Sequence, residues 1–354
     1  MESSWLLSKN PKTDEYKYNR IGHHKENKVK SLISNQFGVD FKQVSLATSG
    51  IETFALTMQI IMIENKFRKM NIIYSNELYC DTPRYLNYFS TIYGVSQNFI
   101  FDVNNQQDLI NNFENKFKGQ INILFFETCS NPTGKIFDFS VIQKLRSLSG
   151  KLYVIVDNTW LSSVSFNPLH YGADIVVTST SKYYSCGSCL GGFIVSPIEF
   201  AKNLNNFIRI SGHHIALPYC DKLIQNIPTM ENRIKFTSKI AITVANFLEK
   251  HPKIMEVYHP SLQSNKGNTL ANKYFKYMPS VISFKINLGI FDAKKFMSSF
   301  KTIDFKTSFG ARETKFDTWP KKVSNQVTIC RLAIGSECKI EALLDELNQK
   351  LSLI

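Results

Sequence analysis

The chain has 354 residues, 43% hydrophobic and 20% charged, enough apolar material for a large core and incompatible with a disordered, collagen-like or coiled-coil chain. Its 42 Lys and Arg against 29 Asp and Glu give a net charge of +13, but no run of five basic residues occurs, so the charge speaks to solubility and ligand steering and no nucleic acid is expected as a partner. The best apolar stretch, Ala55–Ile63, is interrupted by Thr57 and Gln59 and falls well short of the roughly 18 residues of a membrane span.

The opening segment lacks the basic start and apolar core of a secretory signal. Seven cysteines at irregular spacing do not form a disulfide framework. A cytoplasmic protein with reduced thiols and no membrane partner is expected.

In chain order, residues 1–45 are polar and irregular and read as an N-terminal arm. A helical pattern covers Ile51–Phe67, followed by a short apolar strand at Asn71–Tyr74. Further strands are expected at Ile121–Phe126, Leu152–Val156, Ile175–Thr178 and Phe193–Val195, with a helix at Ser140–Leu148 between the first two. Continuous apolar strands alternating with helices predict an α/β domain over 46–225, its mostly parallel sheet covered on both faces.

The pattern changes after residue 225. A long helix is expected from Met230 to Lys250, stopping before His251-Pro252. A strand at Val281–Ile286, a helix at Asp292–Phe300, a strand at Val327–Leu332 and a helix at Ile340–Leu351 complete a smaller α+β C-terminal domain over 226–354.

In an open α/β sheet, ligands bind beyond the carboxyl ends of the strands. Three strand ends carry chemistry: Asp157-Asn158-Thr159, then Thr178-Ser179-Thr180-Ser181-Lys182, then Glu127 through Asn131-Pro132. A lysine for covalent attachment, an acid for a ring nitrogen and hydroxyls for a phosphate fit pyridoxal 5'-phosphate. Ser49-Gly50-Ile51, opening a helical pattern, adds N–H groups and a helix dipole. Taken singly, a lysine such as Lys182 is more often a surface charge, and an aspartate such as Asp157 is often a helix cap or turn residue.

Together the segments resemble the cystathionine γ-synthase family, the pyridoxal-phosphate enzymes of cysteine and methionine metabolism (trans-sulfuration enzymes). The resemblance rests on Val156-Asp157-Asn158-Thr159 and Gly172 through Tyr183, on Tyr18-Asn19-Arg20, Ser49-Gly50-Ile51, Leu78-Tyr79 and Glu127–Pro132, and on Ile282–Lys285, Thr307–Gly310 and Arg331–Glu337. It spans most of the chain and implies the pyridoxal-phosphate-dependent transferase fold (aspartate-aminotransferase-like, fold type I). It also implies β- or γ-elimination or γ-replacement on a sulfur amino acid or an activated homoserine. Lys182 would attach the cofactor and move protons, Asp157 would pair with the ring nitrogen, and Tyr79 would stack on the ring and assist proton transfer. Gly50, Ile51, Ser179 and Ser181 would hold the phosphate. Tyr18 and Arg20 would complete a neighbour's site in a homodimer or homotetramer. Arg331, with Asn131 and the Ser308 backbone, would grip the α-carboxylate of the amino-acid substrate.

Several positions depart from the family pattern. The chain is shorter, the family's Gly-Gly-His-Ser-Asp is Ser185 through Cys189 here, and Cys80-Asp81 follows Tyr79. The methionine γ-lyase subgroup carries a cysteine where Asp81 stands. Arg84 resembles the arginine that meets a distal substrate carboxylate in cystathionine-handling members, whereas Lys17 stands where many of those members carry an acid. The two point to an anionic side group. A specialised synthase or lyase of secondary metabolism and an inactive scaffold relative are the alternatives. No metal is expected, since Cys186-Gly187-Ser188-Cys189 has no second ligand pair and the His23-His24 and His213-His214 pairs are unsupported.

Overall fold

The computed structural model describes residues 9, 18–94, 97–318 and 326–354. Lys17 lies outside the described residues.

Seven strands build the first sheet: β1 (Val44–Ala47), β2 (Asn71–Ser75), β3 (Gln97–Phe101), β4 (Ile121–Glu127), β5 (Lys151–Asp157), β6 (Ile175–Ser179) and β7 (Gly192–Val195). Their order is β1-β7-β6-β5-β4-β2-β3. Pairing is parallel from β3 through β6, and β7 runs antiparallel to both of its neighbours. The side chains of β4 show why the run is continuously apolar. Ile123 and Phe125 enter a core with Phe54, Ile61 and Ile155, while Leu124 and Phe126 enter another with Ile33, Phe37 and Val154. Successive residues point to opposite faces, and a parallel sheet covered on both faces needs both sets apolar.

The helix Gly50–Glu64 lies in the first of these cores. The second is covered in part by the helix His24–Phe37, which buries Val29, Ile33 and Phe37 at intervals of four. That helix corrects the expectation of an irregular segment up to residue 45. His23 accepts from the Lys25 N–H at its start, and Gly38 ends it at φ 65°. Only Val29, Ile33 and Phe37, with Leu32 packed partly against the same core, mark its apolar face, too few for the pattern to stand out.

The helix Met230–Lys250 has the expected bounds and leads to a second sheet of β8 (Ile254–Tyr258), β9 (Val281–Ile286), β10 (Asp304–Phe305), β11 (Lys315–Thr318) and β12 (Thr328–Ala333). Its order is β10-β11-β12-β9-β8, antiparallel except for β10 with β11. Ala241, Val244 and Leu248 of the long helix pack with Phe284, Phe316 and Leu332. Val281, Phe309 and Ala333 belong to a core of the first sheet, so the second sheet docks directly beside the loop after β6.

Candidate active site

The carboxyl ends of the parallel strands bring the expected residues together. Asp157 ends β5, Ser179 ends β6, and Lys182 follows in the next turn. The helix Gly50–Glu64 begins just beyond β1. With Tyr79, Asn131, Ser181 and Phe309, these elements wall a cavity of about 230 Å³. A larger cleft of about 430 Å³, bounded by Thr133, Lys135, Glu256 and Lys266, contains none of the groups expected to do chemistry.

Lys182 donates from Nζ to Ser308 Oγ at 2.8 Å, and Nζ lies 5.3 Å from the centre of the Phe309 ring. Burial lowers its pKa to about 8, with the charges of Arg331 and Lys315 acting in the same direction and that of Asp157 opposing them. The loop from Thr307 to Gly310 presses on the lysine's turn. Ser308 adopts φ 96°, in the left-handed region that glycine favours. A Cβ on Gly310 would stand 2.7 Å from Tyr183 N and 2.9 Å from the Lys182 carbonyl carbon.

Two carboxyl groups stand abreast, because Glu127 of β4 is the register partner of Asp157 on β5. Asp157 Oδ1 accepts the Thr159 N–H at 2.8 Å. Burial raises its pKa, while Thr159 and Lys182 pull it down. Glu127 is 6% exposed, and burial together with the charge of Asp157 drives its pKa well up. Like charges this close do not both persist. Of the two, Glu127 is pushed up the further.

Arg331 of β12 is 6% exposed. Its Nη1 donates to Asn131 Oδ1 at 3.0 Å and its Nη2 to Thr307 Oγ1 at 3.0 Å. Burial lowers its pKa, yet a guanidinium stays charged. Asn131 and Thr307 thus fix the guanidinium, and Asp317, its register partner on β11, helps keep it charged.

At the other end of the cavity, Ser49 caps the helix by accepting the Glu52 N–H at 3.2 Å. The first N–H groups of a helix have no intrahelical acceptor, so those of Gly50 and Ile51 suit an anion. A Cβ on Gly50 would sit 2.5 Å from Ser179 Cβ, so only glycine lets the helix start approach the end of β6 this closely. A reactive lysine, a half-buried aspartate, a cup of N–H and hydroxyl donors and an arginine fit pyridoxal phosphate group by group.

Other expected residues lie apart or are turned differently. Tyr79 lines the cavity but is 44% exposed, and burial with the nearby Asp81 raises its phenol to about 12, which makes it a donor. Arg84, expected at the distal end of a substrate, donates to Asp81 at 2.9 Å with its side chain mostly exposed, and it does not line the cavity. Ser308 meets Lys182 through its hydroxyl. Tyr18 and Arg20 are exposed and stacked, Arg20 Cζ lying 5.2 Å from the Tyr18 ring centre. Arg20 borders a separate pocket with Glu26, Lys30 and Arg209.

Thr307, Trp160, Phe309 and the acceptor role of Glu127 were not anticipated as parts of the site. Each nevertheless adjoins a marked segment: Trp160 follows Asp157-Asn158-Thr159, Thr307 and Phe309 flank Ser308, and Glu127 opens Glu127–Pro132.

A family model described as Cys/Met metabolism PLP-dependent enzyme matches residues 2–349. The chain belongs to this family. It is a pyridoxal-phosphate-dependent enzyme of cysteine and methionine metabolism. It is 27% identical over 359 residues to the L-methionine gamma-lyase of Fusobacterium nucleatum subsp. nucleatum, covering 96% of this chain and 87% of that protein. It is 26% identical to the cystathionine gamma-lyase of Mus musculus, covering 95% and 85%. A crystal structure of cystathionine gamma synthase from Xanthomonas oryzae pv. oryzae in complex with cystathionine superimposes with a TM-score of 0.85 at 21% identity, covering 98% of this chain and 90% of that one. The family and this likeness agree on the fold, an aspartate-aminotransferase-like α/β fold of type I.

Proposed function

We propose that this enzyme carries out β- or γ-elimination or γ-replacement on a sulfur amino acid or an activated homoserine. The observation that carries the reading is the single cavity that joins Lys182, Asp157 and Asn131, with Arg331 held behind Asn131. The names of the relatives, γ-lyases and a γ-synthase, support this reaction class.

Bound pyridoxal phosphate supplies an electron sink for negative charge left at a substrate carbon. Lys182 would hold it covalently and could move protons between the substrate carbons, with Ser308 Oγ holding Nζ in place. Asp157 would pair with the ring nitrogen. The N–H groups of Gly50 and Ile51 and the hydroxyls of Ser179 and Ser181 would bind the phosphate. Arg331 grips the α-carboxylate in a bidentate pair, and Asn131 and Thr307 fix the guanidinium. That grip aligns the Cα–H bond for cleavage. Tyr79 would stack on the ring and, with its phenol held protonated, could donate a proton. Arg84, paired with Asp81 outside the cavity lining, is the residue that would favour an anionic side group.

Tyr18 and Arg20 complete the site of a second copy, so the active unit is a homodimer or homotetramer. Residues 46–225 carry the cofactor and 226–354 form the C-terminal domain. All seven cysteines are free, which supports a reducing cytoplasm, and among the described residues no helix is long and apolar enough to cross a membrane.

The test is borohydride reduction of the coloured holoenzyme followed by peptide mapping. The label is expected on Lys182, and Lys182→Ala is expected to lose at least about 10³-fold in turnover, as removal of a covalent and proton-transfer group does. Label on another lysine, or full turnover in the variant, sinks the reading.

A further inference from the structure

Glu127 lies in the cavity wall with both carboxyl oxygens turned to backbone N–H groups from two different segments. Oε1 accepts the Tyr79 N–H at 2.5 Å, and Oε2 accepts the Asn131 N–H at 3.2 Å. One segment carries the aromatic ring over the cofactor site. The other carries the amide that holds Arg331. The far sides of the same segments are joined separately through Glu77, whose Oε2 accepts from Ser130 Oγ at 2.8 Å and from the Thr133 N–H at 3.2 Å. Glu127 is thus the tie on the cavity side of a laced pair of loops.

We propose that Glu127 is a positioning residue that fixes the Tyr79 and Asn131 backbones to one carboxyl group and so holds the Asn131–Arg331 arm at the place where a substrate α-carboxylate must sit. The proposal rests on the assignment of Arg331 to that carboxylate. Burial also explains why the tie is an acid rather than an amide. A carboxyl group offers two acceptor oxygens, whereas glutamine would place an NH₂ against one of the two N–H donors.

A shift of about 1 Å in a substrate-orienting group costs on the order of 100-fold, so a partial loosening is expected to cost about tenfold. The experiment titrates the holoenzyme spectroscopically with L-methionine and with 3-(methylthio)propylamine, the same molecule without its carboxylate. The wild type is expected to bind methionine at least about tenfold more tightly than the amine, because only methionine engages Arg331. Glu127→Gln is expected to lose about tenfold for methionine with no change for the amine. Binding of both ligands as in the wild type, or an equal loss for both, overturns the proposal while leaving the Arg331 assignment standing. A wild type that does not distinguish the ligands overturns that assignment and the proposal with it. Should Glu127→Gln not fold, Glu127→Asp, which keeps the acid but shortens its reach, is read in the same way.

Discussion

Lys182 shows how much of the chemistry is set by one residue's surroundings. An exposed lysine with its ordinary pKa of 10.5 is almost wholly an ammonium near neutrality, whereas one at about 8 is a free amine in roughly a tenth of molecules at pH 7. Part of that shift comes from Lys315 on β11, a strand that places Asp317 directly opposite Arg331 and Lys315 two residues away on the same face. A cation nearby disfavours a second cation, so removing Lys315 must raise the pKa of Lys182. In the apoenzyme, the rate of pyridoxal-phosphate attachment is expected to climb with pH and level off above about 8. In Lys315→Ala the midpoint moves to higher pH, and attachment at pH 7.5 slows. Stopped-flow absorbance across a pH series measures both, and a midpoint that stays put or falls removes Lys315 from the account.

At the scale of the elements, the site is made by close approaches between pieces far apart in sequence. The start of the helix Gly50–Glu64 touches the end of β6, where a Cβ on Gly50 would lie 2.5 Å from Ser179 Cβ. Gly50→Ala is expected to push the two halves of the phosphate cup apart and weaken cofactor binding about tenfold or more by equilibrium dialysis. Unchanged affinity would place the phosphate elsewhere. The residues of this cup were readable because they follow apolar strands whose type the sequence announces: Ile121–Phe126 and Leu152–Val156 are apolar at every position but Asn122 and Tyr153, as a strand covered on both faces requires. The strands β3 (Gln-Asn-Phe-Ile-Phe) and β11 (Lys-Phe-Asp-Thr) carry too little apolar pattern in too few residues to announce themselves. Glu127 was legible as part of a strand-end segment. Its bonds to the Tyr79 and Asn131 backbones depend on how the loops cross, which no local pattern encodes. The turn of Arg84 toward Asp81 is likewise a rotamer outcome, since residues three apart on a helix are neighbours.

At the scale of the whole molecule, the cavity of a single chain lacks a charge that its ligand needs. Among the described lining residues, Lys182 is the only Lys or Arg, and it is committed to covalent attachment. A phosphate monoester bound by neutral N–H and hydroxyl donors alone would remain undercompensated in a partly buried site. Arg20 is exposed and lies outside its own chain's cavity, which suits a residue serving a second copy. In a two-fold dimer each chain would give its Lys182 to one site and its Arg20 to the other. Two inactive variants should therefore rescue each other. Lys182→Ala keeps a working arm, and Arg20→Ala keeps a working lysine. Equal mixing of the two chains by co-expression leaves about a quarter of sites with both groups intact, whether the assembly is a dimer or a pair of dimers. Recovery of about a quarter of wild-type turnover from two variants that are each nearly inactive is the expected result. If Arg20 instead served its own chain, every site in the mixture would lack one group and no activity would return.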